Sequence, residues 1–140
     1  MYSLNPIKKE LPREPVEIHP GILSYRNDTH PAWTNRSNLY RYDYGTRLPY
    51  VYYFAIVKCG NFYEIDILEY PDMQGRDESS SKIHWLYSSR GGKKICISSG
   101  KEPTSLEAAE SILKGWAHLI TVYIMTGVSP DQQINNHSRR

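Results

Sequence analysis

One long apolar stripe near the C-terminus constrains this chain more than any other feature. Leu106, Ala109, Ile112, Leu113, Trp116, Ala117, Ile120 and Ile124 recur at the three-and-four spacing that gathers side chains on one face of an α-helix. The ends of the stripe are marked. Pro103 disfavours a helix running in from upstream. Thr104 with Glu107 fits a capping box. Gly127 suits a left-handed C-cap, and Pro130 a stop. A helix over 105–126 is about 33 Å long at roughly 1.5 Å per residue. Its second half, 117–125, is apolar nearly all round, which implies burial on more than one side. Either the N-terminal segment covers it, or it forms a homodimer interface.

The layer that receives the helix reads as a sheet. Residues 50–58 concentrate the β-branched and aromatic side chains that fit a pleated surface. Cys59, Gly60 and Asn61 supply a turn. Residues 62–70 then alternate, with Tyr63, Ile65 and Ile67 on one side and Glu64 and Asp66 on the other. Residues 71–81 are polar and loop-like. Residues 83–87 and 94–98 read as a third and fourth strand joined by a turn at Arg90, Gly91, Gly92 and Lys93. Upstream, 16–26 fits one or two short strands broken at Pro20 and Gly21. Residues 27–47 are rich in Asn, Asp, Ser, Thr and Pro, and read as a loop of about 20 residues, long for a compact domain.

The 140 residues suit one domain. The expected organisation is a flexible arm over 1–15, a single α+β domain over 16–128 and a polar tail over 129–140. The expected fold is a four-stranded antiparallel meander followed by one long C-terminal helix packed on one face, with an irregular N-terminal extension. The opposite face is either solvated or covered by that extension.

Composition excludes collagen, a disulfide miniprotein and wholesale disorder. No run of 18 apolar residues offers a membrane span. Residues 1–9 lack a signal-peptide core, so Cys59 and Cys96 are expected to be reduced and the chain to be cytoplasmic. The sequons at Asn27, Asn35 and Asn136 then carry no weight.

No catalytic pattern is present. His19, His30, His84, His118 and His137 include no pair at i, i+4, and the two cysteines form no C-x-x-C, so no zinc pattern emerges. There is neither a G-x-S-x-G nor a P-loop. Gly91, Gly92, Lys93 and Lys94 precede a strand and not a helix N-terminus, so the dipole argument for a phosphate cradle fails. Glu64 and Asp66 stand roughly 7 Å apart along a strand, and alternation on an exposed face accounts for them. No cofactor and no enzymatic activity are expected.

The feature that composition leaves over is tyrosine, at 12 residues against 2 phenylalanines. Strand propensity covers Tyr50, Tyr52, Tyr53, Tyr63 and Tyr70. Tyr40, Tyr42 and Tyr44 instead lie next to arginines in the loop-like segment. Tyrosine and arginine dominate binding hot spots. The candidate binding residues are therefore Trp33, Arg36, Tyr40, Arg41, Tyr42, Tyr44 and Arg47, joined by the basic hairpin residues Arg90, Lys93 and Lys94. The competing reading packs this segment on the sheet as half-buried core.

The expected function is a small non-enzymatic binding protein acting through protein–protein contacts. Inhibitors, adaptors and regulatory accessory proteins, including those of phages and mobile elements, share this profile. The alternative is a single-stranded nucleic-acid-binding ββββα domain using tyrosine stacking and arginine–phosphate contacts. Glu64 and Asp66 on the open face oppose it.

Overall fold

Extended backbone sends successive side chains to opposite faces, so a strand's sequence decides what each face of its sheet presents. The structure, a computed structural model, describes residues 16–19, 22–25, 38–44 and 50–138. The strands are β1 (Val16–His19), β2 (Ile22–Tyr25), β3 (Asn38–Tyr44), β4 (Tyr50–Cys59), β5 (Phe62–Glu69), β6 (Trp85–Tyr87) and β7 (Lys93–Ile95). They form one seven-stranded sheet in the order β1-β2-β3-β4-β5-β7-β6, every neighbouring pair antiparallel. The helices are α1 (Ser80–Ile83), α2 (Leu106–Thr126) and α3 (Pro130–Ser138). The chain is thus α+β, with an antiparallel sheet and a long C-terminal helix on one face. None of the described helices is long and apolar enough to cross a membrane.

Several expectations are corrected. The sheet has more than four strands, because β1 and β2 both form and 38–44 is a strand and not a loop. Its sequence alternates, with Tyr40, Tyr42 and Tyr44 on one face and Leu39, Arg41 and Asp43 on the other. The simple meander breaks after β5. The chain crosses to the outer edge to form β6, and β7 returns between β6 and β5. The expected third strand begins only at Trp85, because 80–83 make one helical turn that ends at His84 in the left-handed region (φ 59°). Residues 130–138, within the polar tail expected over 129–140, form a helix. Pro130 opens α3 and does not merely stop α2, since its missing N–H costs nothing in a first helical turn.

The ends of α2 follow local chemistry closely. The N-cap is Ser105, one residue past the expected Thr104, and its hydroxyl accepts from the Ala108 amide at 3.1 Å. Gly127 closes the helix at φ 80°. An added Cβ there would stand 3.1 Å from Arg76 Nη1. That guanidinium donates to the Ile124 carbonyl, putting a cation at the negative end of the helix dipole.

The main core lies between α2 and the sheet. Phe54, Ile56, Ile65 and Ile67 meet Ala109, Leu113, Trp116, Ala117, Ile120 and Ile124. The Trp116 ring stands edge-on to Tyr52, Phe54 and Tyr70, with centroids 6.0, 6.0 and 6.3 Å away. Ala117, Ile120, Tyr123 and Ile124 in the apolar half of α2 are therefore buried against its own sheet, with α3 packed alongside, while Met125 is exposed. On the opposite face Leu39, Tyr53, Ala55, Val57 and Leu68 are also buried, so the centre of that face is not solvated.

The excess of tyrosine over phenylalanine now has a cause. Register places Tyr40 opposite Phe54, Tyr42 opposite Tyr52 and Tyr44 opposite Tyr50, a ladder of rings beneath α2. The hydroxyls reach polar groups on that helix. Tyr40 donates to Glu110 at 3.0 Å, Tyr52 bonds the Thr121 hydroxyl at 2.6 Å, and Tyr44 bonds His118 Nδ1 at 2.8 Å. A phenylalanine would fill the same space and leave those groups with one partner fewer. Burial pushes the Tyr52 phenol well above the ordinary tyrosine range. Tyr52→Phe is expected to cost about 1–2 kcal/mol, because Thr121 is fully buried and loses this partner. Urea unfolding should show a lower midpoint with an unchanged slope.

Candidate functional site

The residues that the sequence proposes for binding divide into three groups. Trp33, Arg36 and Arg47 lie outside the described residues. Tyr40 and Tyr42 are core side chains, 2 % and 5 % exposed, so neither offers a contact surface. Tyr44 is half-buried and held by His118, with ring centroids 5.6 Å apart. Arg41 points to the other face, its Nε 3.0 Å from Asp43 Oδ1 in an ion-pair contact too poorly aligned for a hydrogen bond.

The third group is the β6–β7 hairpin. Gly91 and Gly92 take φ 96° and 77° in its turn, which lets the chain reverse and carry Arg90 back over the sheet. Arg90 grips Asp66 with two bonds, Nε to Oδ2 at 2.7 Å and Nη2 to Oδ1 at 2.8 Å, and also donates to Glu64 at 2.8 Å. Lys94 donates to the other Glu64 oxygen at 2.9 Å. Bonding to Asp66 is the chief reason that the Arg90 guanidinium holds its proton even more firmly than usual. Burial pushes the Glu64 carboxyl up, but its bonds to Lys94 and Arg90 outweigh this and hold it below the usual carboxylate range. Burial, with Glu64 nearby, also raises the Cys59 thiol, whose sulfur lies 3.9 Å from Arg90 Nη1.

Lys93 is engaged as well. Its ammonium sits 4.5 Å from the Trp85 ring centroid and 5.3 Å from that of Tyr70, and it donates to the Tyr70 hydroxyl at 3.0 Å. That hydroxyl in turn donates to Glu78 at 2.7 Å. The hairpin's cations are therefore satisfied within the chain. Glu64 and Asp66 are satisfied by the same network, which removes them as a free acid–base pair.

Elsewhere the chemistry is sparse. His84 Nε2 lies 2.7 Å from Asp131 Oδ1 and ties α1 to α3. Among the described residues no group of three or more His, Cys, Asp or Glu side chains is placed to hold a metal ion. A crevice lined by Tyr63, Glu64, Leu86, Ile97 and Glu102 encloses about 50 Å³. Small-molecule sites usually enclose several hundred.

The surface that stands out is a strand that looks ordinary in the sequence. β6 is the last strand of the sheet. Leu86 is 46 % exposed and Tyr87 is 78 % exposed, on opposite faces of that strand. Trp85, half-buried, packs edge-on to Tyr87 at 5.0 Å and is anchored by its indole N–H on the Glu78 carbonyl at 2.9 Å. Most large apolar side chains of the described residues are at least half-buried; beyond this strand only Met125 and Ile134 share such exposure. Trp-Leu-Tyr in sequence reads as a good core strand. Only the strand order, which puts it at the rim, exposes it.

Comparison with protein-family models, with curated proteins and with solved structures found no match.

Proposed function

We propose that this chain is a small non-enzymatic binding protein whose contact surface is the open edge of the sheet at β6. The observation that carries the reading is the exposure of Leu86 and Tyr87 on a strand that, among the described residues, has a neighbour on one side only. An edge strand offers unpaired N–H and C=O groups, and an extended segment of a partner can add to it as a further strand. Exposed Tyr87 supplies a large, rigid contact at low entropic cost. The scaffold beneath is firm, because β7 is fixed to β5 through Arg90, Lys94, Glu64 and Asp66.

This role favours a protein over single-stranded nucleic acid. Arg90 and Lys94 are bonded to carboxylates, so phosphate would have to displace Glu64 and Asp66.

Affinity capture with the full chain tests the reading. Wild-type protein is expected to retain a partner that Leu86→Asp and Tyr87→Asp lose, with thermal midpoints unchanged because both sites are exposed. Equal retention by all three proteins would refute the edge as the contact surface. Oligonucleotide binding that persists at low salt and falls steeply as salt rises would favour the nucleic-acid reading instead.

A further inference from the structure

We infer that the edge of β6 pairs with the same edge of a second copy of this chain, across a two-fold axis passing through Leu86. The inference rests on reading β6 as an interaction surface and names its occupant.

Hydrogen-bond parity fixes which groups face outward. The His84 carbonyl accepts from the Cys96 amide at 3.0 Å, and the Ser88 amide donates to the Gly92 carbonyl at 2.9 Å. In an antiparallel pair the bonded residues alternate. Leu86, opposite Lys94, therefore turns its backbone toward β7. Trp85 and Tyr87 turn theirs away, to the open side.

Two such edges are self-complementary. With the axis through Leu86, Trp85 of each copy faces Tyr87 of the other, and each of these pairs exchanges both of its backbone hydrogen bonds. Leu86 meets its own counterpart on one face of the joined sheet, and the Trp85 and Tyr87 rings meet on the other. The strand carries no charge, so the symmetry brings no like charges into opposition. It also lacks the lysine or proline with which natural edges commonly resist self-pairing. The main helix layer leaves room, since α2 packs over β3, β4 and β5. A foreign segment would have to bring its own apolar groups to cover Leu86 and Tyr87, whereas a second copy brings the same two.

Sedimentation of the full chain from about 1 μM to about 1 mM, the range of small interfaces, reads the outcome. A concentration-dependent dimer is expected. Tyr87→Pro removes an outward-facing N–H and the exposed ring while leaving the hydrogen bonds to β7 in place, and Leu86→Lys adds a charge at the axis. Each should weaken association at least about tenfold. In wild-type protein, hydrogen exchange at the Trp85 and Tyr87 amides should slow as concentration rises. A chain that stays monomeric throughout overturns the inference, as does a dimer indifferent to both variants. A monomer that still loses a captured partner on Leu86→Asp defeats self-pairing and leaves the binding role standing. A dimer broken by both variants, with partner capture unaffected by Leu86→Asp, defeats the binding role and leaves self-pairing standing.

Discussion

Ile124→Asp should abolish cooperative unfolding. Ile124 is 1 % exposed and belongs to the core between α2 and the sheet. A carboxylate there would be buried among apolar side chains without a cation, at a cost of several kcal/mol. A domain of this kind has only about 5–15 kcal/mol of stability in total. The neighbouring substitution Met125→Asp provides the control, because Met125 is 60 % exposed. It should move stability by less than about 0.5 kcal/mol. Circular dichroism against temperature reads both. A folded, soluble Ile124→Asp protein would mean that this face of α2 is an intersubunit surface and not core.

Arg90→Met should be nearly as damaging, for an electrostatic reason. Its removal strands Asp66, whose side chain is 2 % exposed, and leaves Glu64 with Lys94 alone. Breaking one partner of a buried pair costs about 3–5 kcal/mol, because the surviving charge stays desolvated. Restoring neutrality with Asp66→Asn in the same chain should recover a large part of that loss. Acid sharpens the test. The folded-state carboxyl of Glu64 lies below its ordinary value near 4.5, so its stabilising effect is present above that value. It disappears as pH falls through the lower folded value. Wild-type protein should therefore lose stability in that acid range. The gap between it and Arg90→Met should narrow, because without Arg90 one of the two cations that lower the Glu64 carboxyl is gone and the variant has less of this stabilisation to lose. Denaturant midpoints between about pH 3 and pH 7 check this. A gap that stays constant down to pH 3 would show that Arg90 contributes packing and not charge.

Local patterns explain what was legible beforehand. The α2 stripe and its Gly127 cap, the β4–β5 hairpin with its turn at Gly60, and the sidedness of Tyr63, Ile65 and Ile67 all follow from periodicity and turn chemistry. The N-cap fell one residue away because Thr104 and Ser105 both have capping hydroxyls, and only backbone geometry selects between them. β3 was missed because its tyrosines alternate with Arg41 and Asp43. That pattern fits a polar binding loop as well as a strand with one face on the core. The candidate surface was less legible still. Arg90, Lys93 and Lys94 look like free cations in sequence, and their partners lie more than twenty residues away or across a strand. Trp85, Leu86 and Tyr87 look like core, and nothing local tells a rim strand from a central one.

The sequence by itself determined the long helix α2 and the β4–β5 hairpin, because helix and strand periods and turn residues are properties of neighbours along the chain. It also determined an excess of tyrosine hydroxyls that had to find partners. Only the tertiary structure decided which partners those were, since Glu110, His118 and Thr121 come from a helix about 70 residues downstream of the tyrosines that reach them. It alone decided strand order as well. Placing β7 inside and β6 outside is a matter of long-range pairing, and that choice turns an ordinary apolar tripeptide into the exposed edge of the sheet.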